Sequence, residues 1–213
     1  MSEGTMWSWT ALLFLGAFHG INPGMGWLFA VALGMQERRR SAIWRAMLPL
    51  TLGHMLAIGT AILIAALAGV AIPAHQLKYP VAALLIGLGA YRLFRHRHPR
   101  LGGMRVGMPG LTVWAFLMAT VHGAGLMVLP IFLGMAAPAM AASCHAATDG
   151  GRSAGVAFLA TAVHTAGYLS VTAAAAWIVF ERLGLGLLRK AWVNMDLIWA
   201  AALLATGGWM LAM

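Results

Sequence analysis

Four of the eight histidines, His19, His54, His122 and His164, lie inside long apolar runs. An imidazole in such a setting is costly unless it binds something or is itself hydrogen-bonded, so these positions are the first place to look for chemistry. The stretch Phe14 to Met35, FLGAFHGINPGMGWLFAVALGM, concentrates the case. It holds His19, the amide of Asn22, the thioether of Met25 and a helix interruption at Pro23 and Gly24. A broken helix in an apolar medium needs its freed backbone groups satisfied by neighbours or by a cavity. The stretch therefore reads as half of a binding site. Converging imidazoles suit a divalent transition metal or Cu(I), with Met25, Met55, Met118 and Met127 as soft donors. Facing pairs of the same histidines could instead ligate haem axially. The plainest alternative bonds each histidine to a carbonyl or hydroxyl across a helix contact and leaves the methionines as core filler.

The histidines recur in a pattern. Phe14-Leu15, Ala17, His19-Gly20 and Leu33-Gly34-Met35 reappear as Phe116-Leu117, Ala119, His122-Gly123 and Leu133-Gly134-Met135, the second copy being three residues shorter, as if it lacked the Asn-Pro-Gly insert. His54 in LTLGHMLAIGTA pairs in the same way with His164 in ATAVHTAGYLSV. The elements that must position them are apolar helices. Of 213 residues, 62% are hydrophobic and 9% charged, with a mean hydropathy of +0.83, whereas soluble domains carry about a quarter charged residues. Runs longer than roughly 18 residues, enough to span a bilayer, fall near 8–35, 46–72, 79–95, 109–137, 153–180 and 191–213. The expectation is an all-α integral membrane protein, one domain of six helices, with repeat 1 over about 8–95 and repeat 2 over about 109–213. An odd number of helices per repeat inverts the second copy, the arrangement that places substrate sites at the midplane between halves.

Charge sets the expected orientation. Arg38, Arg39, Arg40 and Arg45, then Arg92, Arg95, Arg97, Arg100 and Arg105, then Arg182, Arg189 and Lys190 fall on one side; Lys78 and Arg152 fall on the other. The positive-inside rule makes the first side cytoplasmic and puts both termini outside. The net charge of +9 is then explained by topology and by anionic lipid on the cytoplasmic face, not by nucleic acid. The N-terminal MSEGTMWSW has no basic residue, unlike a cleaved signal peptide, and the single Cys144 permits neither an internal disulfide nor a dithiol pair. His96 and His98 sit in an arginine-rich loop that repels cations and suits lipid headgroups; Cys144-His145 and His75 read as outer-loop residues. Asp196 is the only acid inside a run and is the candidate for proton coupling, next to Asn194 at the start of the last helix. The nine tryptophans read mostly as interfacial anchors near helix ends.

His19-Gly20-Ile21-Asn22-Pro23-Gly24-Met25, the basic loop after it, and Thr51-Leu52-Gly53-His54-Met55-Leu56 resemble the nickel/cobalt exporter family and the related urease-accessory-type membrane proteins. Those belong to the lysine-exporter superfamily of small six-helix carriers, which also includes the thiol-electron carrier associated with cytochrome c maturation. The resemblance covers residues 14–60. The family motif reads His-x-x-Asp-Pro-Asp-His, with a further histidine in the second helix. His19, Pro23 and His54 match it, while Asn22, Gly24 and Met25 replace its two aspartates and second histidine. The resemblance implies a multi-pass carrier in a bacterial inner membrane, not an enzyme, and the loss of hard ligands shifts the expected cargo from nickel or cobalt towards copper or zinc. Export of a small organic solute, held by helix-end dipoles at the Asn22-Pro23-Gly24 break, is the further alternative. Exposed small-residue faces are compatible with a homodimer.

Overall fold

The computed structural model describes residues 3–71, 74–94, 107–141, 146–183 and 195–212. The order is α1 (Glu3–Ile21), a single 3-10 turn (Pro23–Met25), α2 (Trp27–Glu37), α3 (Arg40–Ala71), α4 (Ala74–Phe94), α5 (Met108–Val121), α6 (Ala124–Ala141), α7 (Ala146–Ile178) continued by a π-helical turn (Val179–Leu183), and α8 (Met195–Ala212). No strand occurs among the described residues. Of the residues singled out above, His96, His98, Cys144, His145 and Asn194 lie outside them, as do Arg95, Arg97, Arg100, Arg105, Arg189 and Lys190. The side chains of His75, Arg152 and Asp196 are likewise outside, although Asp196 falls on the first turn of α8.

The expected first run is interrupted where its chemistry requires. Asn22 precedes a proline and is extended (φ −68°, ψ 121°), the conformation that a following pyrrolidine ring imposes. Its Oδ1 accepts a hydrogen bond from the Gly24 amide at 2.9 Å, capping the short turn. Gly26 then takes φ +130°, open to glycine alone, before α2 begins. The fourth run breaks without a proline. Gly123 at φ +73° ends α5, and α6 leaves at 62° to it.

Among the described residues, three helices, α3, α4 and α7, are long and apolar enough to cross a membrane, or four if the bent α5–α6 pair is one span. The apolar parts of α1 (Met6–Ile21) and α8 (Leu197–Ala212) are shorter. The outer face of α3 presents Leu48, Leu52, Leu56, Leu63, Ile64 and Leu67. The most extensive helix contacts are α1 with α7, α3 with α5, and α4 with α8. Missing side chains make the first two crossings this close. A Cβ on Gly16 would strike the His164 carbonyl, one on Gly167 the Leu13 carbonyl, and one on Gly53 the Thr112 carbonyl. Small residues that let helix backbones touch are the usual means of association where apolar burial gives no net drive. At the basic end, Arg40 forms a two-point ion pair with Glu181 in the π turn (Nε to Oε1 2.7 Å, Nη2 to Oε2 3.0 Å). Its guanidinium also stands 5.7 Å from the Trp177 ring centre, and Glu37 pairs with Arg45 across the α2–α3 corner.

Candidate functional site

The close α1–α7 crossing brings His19, on the last turn of α1, against His164 in the middle of α7, and α3 adds His54 from the side. The three ring centres are 5.0 Å (His19–His164), 5.4 Å (His54–His164) and 5.9 Å (His19–His54) apart. All three residues are at most 1% exposed. His19 Nδ1 lies 2.7 Å from the Leu15 carbonyl. A carbonyl only accepts, so Nδ1 carries the proton and Nε2 keeps its lone pair. Nε2 of His19, His54 and His164 has no hydrogen-bond partner in any of the three. The His164 ring also lies against the Leu12 backbone, without a bond of good geometry at Nδ1. Buried polar atoms are rarely left unpaired, so three in contact single this cluster out as the candidate site.

The spacing bears on what that is. With metal–nitrogen bonds of about 2.1 Å, imidazoles around one tetrahedral ion have ring centres about 5 Å apart. The observed separations fall close to this. The ring planes do not converge, however: His54 is parallel to His164 within 3°, and no group of three His, Cys, Asp or Glu side chains among the described residues is arranged to hold a metal ion as it stands. His54 is also stacked on Tyr168 at 3.9 Å and 7°, which sets its present orientation.

His122, the fourth histidine of the sequence pattern, comes from the α5–α6 break. It caps α5, its Nδ1 2.7 Å from the Met118 carbonyl, the same relation that His19 has to Leu15. Trp199 of α8 contacts both His122 and His19, with ring centres 5.6 Å and 4.7 Å away respectively. Next to His122, the Arg92 guanidinium donates to the Val121 carbonyl at 2.8 Å and so satisfies the end of α5.

The first break is closed by three aromatic donors. Trp27 Nε1 donates to the Ile21 carbonyl (3.0 Å), Trp114 Nε1 to Gly24 (3.1 Å) and the Tyr168 hydroxyl to Met25 (2.7 Å). These come from α2, α5 and α7, so the break is re-satisfied by neighbours and not by a cavity. Of the other sequence candidates, Asn22 spends its Oδ1 on the turn, Met25 is buried beside the break, and Met118 places its methyl 3.3 Å from where a Gly24 Cβ would stand. Sequence reasoning missed Tyr168, Trp199, Trp114, Trp27 and Arg92. Tyr168 had a usable signal, being one helical turn after His164 on the same face. Trp27 and Trp199 are buried in the interior, unlike the exposed Trp7, Trp44 and Trp209, so the reading of the tryptophans as interfacial anchors does not extend to them.

Comparison with family models, with curated proteins and with solved structures finds no match to this chain.

Proposed function

We propose that this chain is a multi-pass membrane carrier for a transition-metal ion, copper or zinc by ligand type, bound by His19, His54 and His164 between α1, α3 and α7. The observation that carries the reading is the three mutually contacting, fully buried imidazoles whose Nε2 atoms have no partner. The carbonyl behind His19 Nδ1 supports it further, because metal-binding histidines characteristically donate their second ring nitrogen to such an acceptor. Binding requires the rings to rotate towards a common centre, and an ion that draws them together then has two protein states to choose between, as alternating access needs.

The six-span, inverted-repeat architecture belongs to the same proposal. If α1–α2 corresponds to α5–α6, α3 to α7 and α4 to α8, the α1–α7 contact maps onto α5–α3, and α4–α8 maps onto itself. These are the three most extensive contacts, and both first helices break one to three residues after a carbonyl-bonded histidine. The leucine-covered outer face of α3 suits lipid. Membership of the lysine-exporter superfamily, a bacterial inner-membrane location and outside termini rest on the motif over residues 14–60 and on the arginine distribution. Haem is less well served, since it needs a flat space between facing imidazoles and His54 is instead stacked on Tyr168. An organic solute held by helix-end dipoles is less well served too, because the carbonyls at the break already have donors.

Elemental analysis and an absorption spectrum of the detergent-purified protein test the reading. Stoichiometric copper or zinc without a Soret band supports it, and loss of that metal in His19→Ala/His164→Ala assigns the ligands. Iron with a Soret band would move the histidines to haem. Unchanged metal affinity in the double variant would sink the assignment.

A further inference from the structure

We infer that the basic end of the fold carries a binding site for one anionic phospholipid, built where the α2–α3 corner meets the π turn after α7. The inference rests on the membrane reading above and is independent of the cargo. Two segments far apart in the chain come together there. Arg40 at the start of α3 holds Glu181 of the π turn through two hydrogen bonds. Gly34 of α2 lets the next two residues close in, since a Cβ on it would stand 3.1 Å from the Phe180 ring and 2.8 Å from Ile43. Charge on this surface is unbalanced. Glu37 and Glu181 are each taken by one arginine, Arg45 and Arg40 respectively. Arg38, Arg39 and Arg182 are exposed, and among the described residues none of the three has an acidic partner. Guanidinium groups gathered without counter-ions repel one another, and an anion that binds among them relieves this. Their planar N–H pairs match phosphate oxygens.

What adjoins the arginines says which phosphate. On the exposed face of α3, Trp44 and Arg45 are followed at helical spacing by the exposed Leu48, Leu52 and Leu56. Trp44 meets Trp177 of α7, with ring centres 6.0 Å apart, and the Arg40 guanidinium stands 5.7 Å from the Trp177 ring. The exposed faces of α3 and α7 therefore adjoin just inside the arginines. Guanidinium, then indole, then leucine is the order in which a phospholipid presents its phosphate, its glycerol level and its acyl chain. Inorganic phosphate, an acidic protein or a nucleic acid would engage the arginines alone and leave the indoles and leucines uncovered.

The test titrates the full chain in detergent with phosphatidylglycerol and with phosphatidylcholine and counts bound lipid by native mass spectrometry. A basic residue at a lipid surface is worth about fivefold in affinity for an anionic headgroup, so the wild type is expected to take one phosphatidylglycerol about tenfold or more tightly than phosphatidylcholine. Arg38→Ala/Arg39→Ala/Arg182→Ala, all at exposed positions, is expected to bind the two lipids within about twofold of each other. Arg97→Ala/Arg100→Ala/Arg105→Ala removes the same charge elsewhere in the chain and is expected to keep the preference. Millimolar inorganic phosphate is expected to leave the lipid in place. Equal affinity for the two lipids in the wild type, equal loss of preference in both triple variants, or displacement by inorganic phosphate overturns the site while leaving metal binding, and so the carrier, standing. A wild-type chain that stays monodisperse without detergent and retains neither lipid overturns the membrane reading, and the site with it.

Discussion

Tyr168 illustrates how much one side chain can hold at once: its ring fixes the plane of His54 and its hydroxyl satisfies the Met25 carbonyl freed by the helix break. Tyr168→Phe keeps the ring and removes only the hydroxyl, leaving a buried carbonyl without its donor. The expected loss is about 1–3 kcal/mol of stability, seen as a lower thermal midpoint in detergent, with metal affinity nearly unchanged. A midpoint equal to wild type would show that the Met25 carbonyl finds another donor. The imidazoles themselves set the pH dependence. An ion competes with protons for the Nε2 lone pairs, so binding is present at neutral pH and falls as the medium is acidified. A titration of Zn²⁺ binding that rises towards low pH would exclude histidine ligation. At this scale the sequence picked out His19, His54 and His164 as positions worth attention, because an imidazole in an apolar run announces itself by type, and the structure brings the three together. It gave no sign of Trp199, which contacts both His19 and His122 and comes from a helix that the histidine pattern does not include.

The helix α1 owes its position to what it lacks. Gly16 and Gly20 on α1 and Gly167 on α7 admit backbone contacts where any Cβ would collide; for Gly20 the collision is with the Tyr168 carbonyl at 2.6 Å. Gly167→Leu must therefore push α1 from α7 and carry His19 away from His164. The expected outcome is loss of metal binding together with a broadened elution profile and a lower thermal midpoint. Gly59→Leu on α3, where no atom lies within 4 Å of the added carbon, is the matched control and should behave as wild type. Equal damage from both variants would mean that the effect is not specific to this crossing. The two breaks are likewise an element-scale property. Pro23 with the extended Asn22, and left-handed Gly123, end their helices by local backbone chemistry, and the first of them was legible beforehand from the proline alone. The donors that make the first break tolerable, Trp27, Trp114 and Tyr168, were not, because they converge from three separate helices.

Across the whole molecule, the pairing of α1 with α7, α3 with α5 and α4 with α8 gives the two halves of the chain interlocking roles. The proposed orientation makes a direct prediction. In a Cys144→Ala background, Arg38→Cys and Arg182→Cys should react with an impermeant thiol reagent only from the cytoplasmic side, and Lys78→Cys only from the other. Reversed labelling would overturn the orientation, and labelling of all three from one side would overturn the two-sided topology. The bidentate Arg40–Glu181 pair joins the start of α3 to the π turn after α7. It is partly exposed, so Arg40→Ala is expected to cost about 1 kcal/mol or less.

What the sequence determined by itself is what depends on residues close together along the chain. The apolar runs, the two helix breaks and the burial of four histidines each follow from side-chain type, hydropathy or allowed backbone angles over a few neighbouring positions. The tertiary structure decided which of those histidines meet. Whether His19 faces His164 depends on how closely and at what rotation α1 lies on α7. Helix crossing and rotation are set by glycine contacts between residues about 150 positions apart, such as Gly16 with the His164 carbonyl, and no local pattern encodes them.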